Sequence, residues 1–192
     1  MRSKIETIYR RHDTDRVCQG DLFEEFVYPE WISREGNKIK IKNRNIPYLI
    51  VLTQDCDLER DHVNHITNSE KQDKYLQSIL VCPAYQADKL KNGTHLEKLG
   101  YKMEYQNSDR WKIIMQNNNH RYHYLEAFEQ IPALTIDFKH YYSIPRDIIY
   151  NEIKNDDHYL GTVNELFRES LSQRFAYYLS RIGLPEIVKD EE

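Results

Sequence analysis

Cysteine is scarce: Cys18, Cys56 and Cys82 are the only three in 192 residues. An odd number with no framework spacing excludes a disulfide-stapled scaffold and fits a reducing cytosol. No paired C-x2-C spacing of the kind that marks structural zinc is present. Long apolar runs are also missing. A membrane-spanning helix needs about 18 or more consecutive apolar residues, so no membrane partner is expected. Met1-Arg2-Ser3-Lys4-Ile5-Glu6 lacks the apolar core of a signal segment, which predicts a cytoplasmic location. Positive charge is short as well. The net charge is −4, which argues against non-specific nucleic-acid binding unless a local basic patch overrides the total. There is no internal repeat and no low-complexity segment.

What is present fits one domain, or one domain with an appendage. Apolar residues make up 40% and charged residues 30%, enough for a core and a well-solvated surface. Tyrosine stands out at 15, against six Phe and two Trp. Its apolar ring and polar tip suit half-buried strands and interfaces, and it stacks on nucleic-acid bases.

The chain is organised around Pro47 to Asp57. Tyr48 to Thr53 is a nearly unbroken apolar and β-branched run, the pattern of a buried strand. It ends in Thr53-Gln54-Asp55-Cys56-Asp57, a hydroxyl, an amide, two carboxylates and a thiol. A packed strand fixes where such groups point, so its tip is a candidate site. The same residues also suit a turn whose aspartates cap backbone N–H groups.

Residues 1–16 read as a charged N-terminal arm and 17–150 as a β-rich domain. Gly20-Asp21 turns into a first strand carrying Leu22, Phe23, Phe26 and Val27, and Pro29 to Gly36 reads as a loop. Lys38 to Arg44 alternates strictly, with isoleucines on one face and lysines on the other, as in a half-exposed strand. That stripe of Lys38, Lys40 and Lys42 is the only compact basic one; it is either an edge guarded against aggregation or a track for phosphates. Residues 58–74 read as a long mobile loop. Tyr75 to Pro83 is a second buried strand, and a helical insertion follows near 84–100. Trp111 to Met115, Arg121 to Leu125 and Ala133 to Phe138 read as antiparallel strands, the last continued by Tyr141, Tyr142 and Ile144. Short strands at this spacing suggest a compact barrel or curled sheet.

Residues 151–188 carry the C-terminal helix, expected over Val163 to Ile182 and packed on the barrel. Thr162-x-x-Glu165 makes a capping box, and Leu166, Phe167, Leu171, Phe175, Tyr178, Leu179 and Ile182 form one apolar stripe. Gly183 sits at the C-cap position, Pro185 follows, and 189–192 is an acidic tail.

The order of these motifs resembles the MazF/PemK toxin family over residues 17–85, under half the chain. The shared features are Gly20-Asp21 opening a strand, a basic hairpin, Pro47 before an apolar strand ending in Thr53-Gln54-Asp55, and a strand ending in Cys82-Pro83. The resemblance implies a small SH3-like curled β-barrel, often dimeric, in a toxin-antitoxin or defence setting in a prokaryote. It also implies metal-independent cleavage of single-stranded RNA by attack of the 2′-hydroxyl on the adjacent phosphate. That chemistry needs a cation on the phosphate and a proton-transfer group. The family's catalytic arginine precedes the proline; here Ile46 stands there, so Arg44 or Arg60 must be brought in instead. Thr53 matches the family's strand-end hydroxyl.

The expectation is therefore an α+β protein: an SH3-like curled β-barrel with a helical insertion and a long C-terminal helix. Its candidate catalytic residues are Thr53, Asp55 and Arg44, and its candidate nucleic-acid contacts are Lys38, Lys40, Lys42 and Gln54. The expected partner is single-stranded RNA, or else a protein or second copy docking through the C-terminal helix. In the alternative, the barrel is a non-catalytic interaction module. No metal or cofactor is expected: Asp55, Cys56, Asp57, His62 and His65 are ligand types without zinc spacing. His120 and His123 read as ordinary strand residues. Cys56, flanked by carboxylates that would weaken its thiolate, reads as a buried turn residue, and Cys82 as core.

Overall fold

The computed structural model describes residues 7–155 and 158–181. In chain order the strands are β1 (Tyr9–Arg10), β2 (Asp21–Glu35), β3 (Lys38–Val51), β4 (Ser78–Gln86), β5 (Tyr122–Leu125), β6 (Leu134–Asp137), β7 (Tyr142–Pro145) and β8 (Tyr159–Val163). The helices are α1 (Asp55–Ile66), α2 (Ala87–Lys91), α3 (Ser108–Met115), α4 (Arg146–Asn155) and α5 (Glu165–Leu179).

Helix and strand are mixed, and the strands make one curled antiparallel half-barrel sheet. Its order is β1-β8-β2-β3-β4-β6-β5, with β7 also on β4. The curl comes from β4, which changes partner along one edge: Ser78 to Val81 pairs with β7, and Ala84 to Gln86 with β6. Both sheet faces are covered. On one, Leu22, Ile50, Leu134 and Ile136 pack with Leu171 and Phe175 of α5. On the other, Phe23, Leu49, Val51 and Val81 pack with Leu58 of α1 and with Ile149 and Ile153 of α4. A strand buried on both faces carries apolar residues at every position rather than at alternate ones. That is why the Tyr48–Val51 and Ile79–Ala84 runs are continuous. A third cluster joins α2 and α3 to Tyr85 and Tyr122.

Four expected features differ. Residues 58–66 are helical rather than loop, because α1 runs to Ile66; 67–74 is an irregular connection, and Tyr75 beyond it stacks on His65 at 3.9 Å. Trp111 to Met115 is helical, because the Asn107 side chain caps the Arg110 N–H at 3.0 Å and Trp111 and Ile114 share one buried face. Pro29 to Gly36 is not a loop either. β2 continues to Glu35, with a register irregularity between Pro29 and Trp31 that accommodates the proline's missing donor. The capping box does not form: Thr162 lies in β8, its hydroxyl facing the Gln19 carbonyl at 3.3 Å, and Asn164 caps α5 instead. Thus the sheet takes in Tyr159–Val163, from the region expected to hold only the C-terminal helix. Gly183, Pro185 and the tail over 189–192 lie outside the described residues.

Gly20 turns the chain into β2. Its φ is +89°, and an added Cβ would lie 3.1 Å from the Val163 Cβ. Its N–H donates to Val51 and its carbonyl accepts from Val163, locking this turn between two strands. Among the described residues no helix is long and apolar enough to cross a membrane.

Candidate nucleic-acid cleft

The residues expected to form one site are divided between two ends of β3. Arg44 and Val51 are seven steps apart on an extended strand, on the order of 20 Å. Thr53, Gln54 and Asp55 lie beyond Val51, where their polar atoms hold the fold. The Thr53 hydroxyl accepts the Leu80 N–H at 2.7 Å. Gln54 is the N-cap residue of α1, its carbonyl accepting from Asp57 and Leu58. The Asp55 carboxylate accepts the Gln19 N–H at 3.1 Å and faces Arg16 and Arg168, each at 3.4 Å. It thereby ties the N-terminal turn and α5 to the positive end of α1. Cys56 is exposed in the first turn of α1 rather than buried, whereas Cys82 is core.

The lysine stripe is compensated within its own hairpin. Lys40 pairs with Glu35 at 2.6 Å and Lys42 with Glu30 at 3.4 Å, while Lys38 lies opposite Glu35 in the register. Nor is the isoleucine face buried, as Ile39 and Ile41 are 69% and 60% exposed. The hairpin projects past the rest of the sheet, with both faces open.

Arg44 stands at the base of this hairpin. It donates to the Tyr142 hydroxyl at 2.8 Å and pairs with Glu30, while its Nε has no partner among the described residues. The arginine borders a hollow of about 470 Å³ between β3, β4 and the loop after α2. Ile46, Pro47, Tyr85, Tyr142, His95 and Lys89 are among the residues that line it. A second hollow of about 310 Å³ shares Arg44, Tyr85 and Tyr142 and adds Arg121, Lys139 and His140. Together they carry the Lys/Arg residues Arg44, Lys89, Lys98, Arg121 and Lys139 against Glu24, Glu25 and Glu97. Arg44 and Arg121 are further paired with Glu30 and Asp137, so five cations meet five carboxylates and the cleft is mixed in charge rather than basic.

His95 is the group that sequence reasoning missed. Its ring lies 4.9 Å from that of Tyr85, and neither buried nitrogen meets a hydrogen-bond partner among the described residues. Burial holds its pKa below the ordinary histidine range, with Asp137 opposing and Arg121 adding to the shift. The imidazole is therefore neutral at pH 7 and able to accept a proton. No spacing marks this residue in the sequence; only the tyrosine excess points towards an aromatic surface here.

Asp137 braces the cleft from behind. It is buried, accepts two bonds from Arg121 at 2.7 and 2.6 Å, and lies 3.1 Å from His140. Burial works against its charge, but the hydrogen bonds from Arg121 and His140 prevail and hold its pKa down to about 2. A folded-state pKa below the unfolded value, about 3.9, gives stability that is present above pH 4 and lost as pH falls through 2. Urea titrations between pH 5 and 2 should show a loss of about 2 kcal/mol, and Asp137→Asn should flatten that slope.

No protein-family model matches this chain, and no curated protein sequence matches it as a relative. Its functional reading rests on its own residues.

Proposed function

We propose that the protein engages single-stranded RNA in the Arg44–His95 cleft, as a MazF/PemK-like, toxin-like or defence-associated barrel of SH3-like type, and cleaves it without a metal. The observation that carries this reading is that a guanidinium, a neutral imidazole and three tyrosines border one hollow. Arg44 and Ile46 are two residues apart on β3, hence on one strand face. Arg44 thus offers a cation where the family's arginine is missing. In this reading His95 takes the proton of the 2′-hydroxyl and that oxygen attacks phosphorus. The bond to the 5′-oxygen breaks, and the leaving oxygen takes a proton from the imidazolium or the Lys89 ammonium. The products are a 2′,3′-cyclic phosphate and a 5′-hydroxyl. Arg44 offsets the charge on the phosphoryl oxygens, and Tyr85 and Tyr142 supply faces for bases.

The test is labelled single-stranded RNA incubated with the protein in EDTA. Wild type should cleave, Arg44→Ala should be slower by about 10²- to 10³-fold, and Thr53→Ala should retain its rate once its folded fraction is matched. Cleavage lost in Thr53→Ala but kept in Arg44→Ala would return the site to the strand tip. The hairpin favours a second reading. Val27, Trp31, Ile32, Ile39 and Ile41 are exposed, which suits a non-catalytic interaction module. On α5, Leu171 and Phe175 are buried, leaving Leu166, Tyr177 and Leu179 for a partner there. Folded wild-type protein that leaves RNA intact would favour this alternative.

A further inference from the structure

The turn into β2 brings together three groups of metal-ligand type. His12, Cys18 and Asp21 each offer one ligand atom, and all these atoms lie within 4.8 Å of one another. This is the one such grouping among the described residues, and it does not involve the ligand types of α1. Cys18 and Asp21 are held in a tight turn. The Asp21 N–H donates to the Cys18 carbonyl at 3.2 Å, the Cys18 N–H donates to Asp21 Oδ2 at 2.6 Å, and Gly20 takes the positive φ. A turn of this span places side chains i and i+3 on one side, the function of the first C-x2-C pair in zinc sites. Here a carboxylate stands in the second position, so cysteine spacing alone hides it. His12 closes the set from the preceding segment, its Nε2 2.7 Å from Asp21 Oδ1.

From this geometry we infer that His12, Cys18 and Asp21 form a binding site for a zinc-like divalent cation at the root of β2. Thiolate, imidazole and carboxylate together suit Zn2+. Zinc bonds of about 2.0–2.3 Å set tetrahedral donor atoms about 3.3–3.8 Å apart. The present set needs displacements of about an ångström, and the partly exposed His12 ring has room to supply them. Metal binding replaces the His12–Asp21 hydrogen bond and releases the Sγ and Nε2 protons to solvent. The Tyr159 hydroxyl lies 3.5 Å from the same Asp21 oxygen, and water would complete the coordination of a cation held by three protein ligands. The cation would staple the N-terminal segment to the start of β2, apart from the Arg44–His95 cleft, so the site does not depend on the RNA reading.

The test uses the full chain, stripped with EDTA and titrated with Zn2+ by calorimetry and with Co2+ by absorption. Wild type should bind one equivalent, melt at a higher temperature with Zn2+, and show a thiolate–Co2+ band. Cys56→Ala, which removes the exposed thiol, should keep that band. Cys18→Ala and His12→Ala should each weaken binding by at least about 100-fold. If a variant does not fold, the wild-type and Cys56→Ala titrations still decide. Folded wild type that binds no stoichiometric Zn2+, or a Co2+ band lost in Cys56→Ala, overturns the site.

Discussion

Replacing Asp61 by alanine should destabilise the fold by about 3–5 kcal/mol, the range for removing one partner of a buried ion pair. Asp61 is fully buried, although it belongs to a helix with a mostly charged surface. One carboxylate oxygen accepts the Leu76 N–H at 2.8 Å, the other accepts from Arg146 Nε at 2.6 Å, and His65 lies 3.3 Å away. The Arg146 guanidinium also covers the Tyr150 ring at 3.8 Å. This carboxylate therefore joins α1, the approach to β4, and α4. Without it, Arg146 keeps its charge in a place where water reaches it poorly, and a backbone N–H loses its acceptor. Removing both partners, as in Asp61→Leu with Arg146→Met, should cost less than Asp61→Ala alone, because no charge is stranded. Urea denaturation of the single and double variants measures both quantities. A loss below about 1 kcal/mol for Asp61→Ala would mean that the pair behaves like a surface one.

The same residue explains why α1 was illegible. Its buried positions are Leu58 and Asp61. A helix whose inward face is half carboxylate shows no apolar period, so residues 58–74 read as solvated chain. α3 was read as a strand for the opposite reason: Trp-Lys-Ile-Ile-Met satisfies either period, and the Asn107 cap decides for the helix. The Tyr48–Val51 end of β3 and most of β4 were legible because both their faces are buried and apolar residues crowd them. The lysine stripe was read correctly as a strand, with a guarded edge and a phosphate track both left open. Its compensation depends on Glu30 and Glu35 across the hairpin, in a register set by the irregularity beside Pro29.

The candidate site was legible only in part, because a cleft is built from contacts remote in sequence. Arg44 could be singled out from its nearness to Pro47. Its neighbours Tyr85, His95 and Tyr142 arrive from β4, the loop after α2, and β7. Thr53, Gln54 and Asp55 had the composition of a site, yet the Thr53 and Asp55 side chains are engaged in holding Leu80 and Gln19, and Gln54 serves the start of α1 through its backbone carbonyl. A polar cluster at a strand tip becomes a reactive site when its atoms face solvent or substrate. It becomes a clamp when backbone groups claim them first.

His95→Ala should lower metal-independent RNA cleavage by about 10²- to 10⁴-fold, the range for losing a positioned acid–base group. The prediction follows from the state of the ring. Neither buried nitrogen has a hydrogen-bond partner among the described residues, so none must be displaced once the half-buried ring turns a nitrogen into the cleft. Burial is the main cause of its lowered pKa, which keeps the base neutral. The rate should accordingly be flat near neutrality and fall on acidification only below the ordinary histidine value of about 6.5. His95→Gln retains a polar group of similar reach but transfers no proton, so it should be as slow as alanine while binding RNA normally. Arg44→Ala should differ: it should weaken both binding and turnover, and Arg44→Lys should recover only part because the planar guanidinium fork is lost. Rates that are equal for wild type and His95→Gln would remove the imidazole from the chemistry and leave the cleft as a binding surface alone.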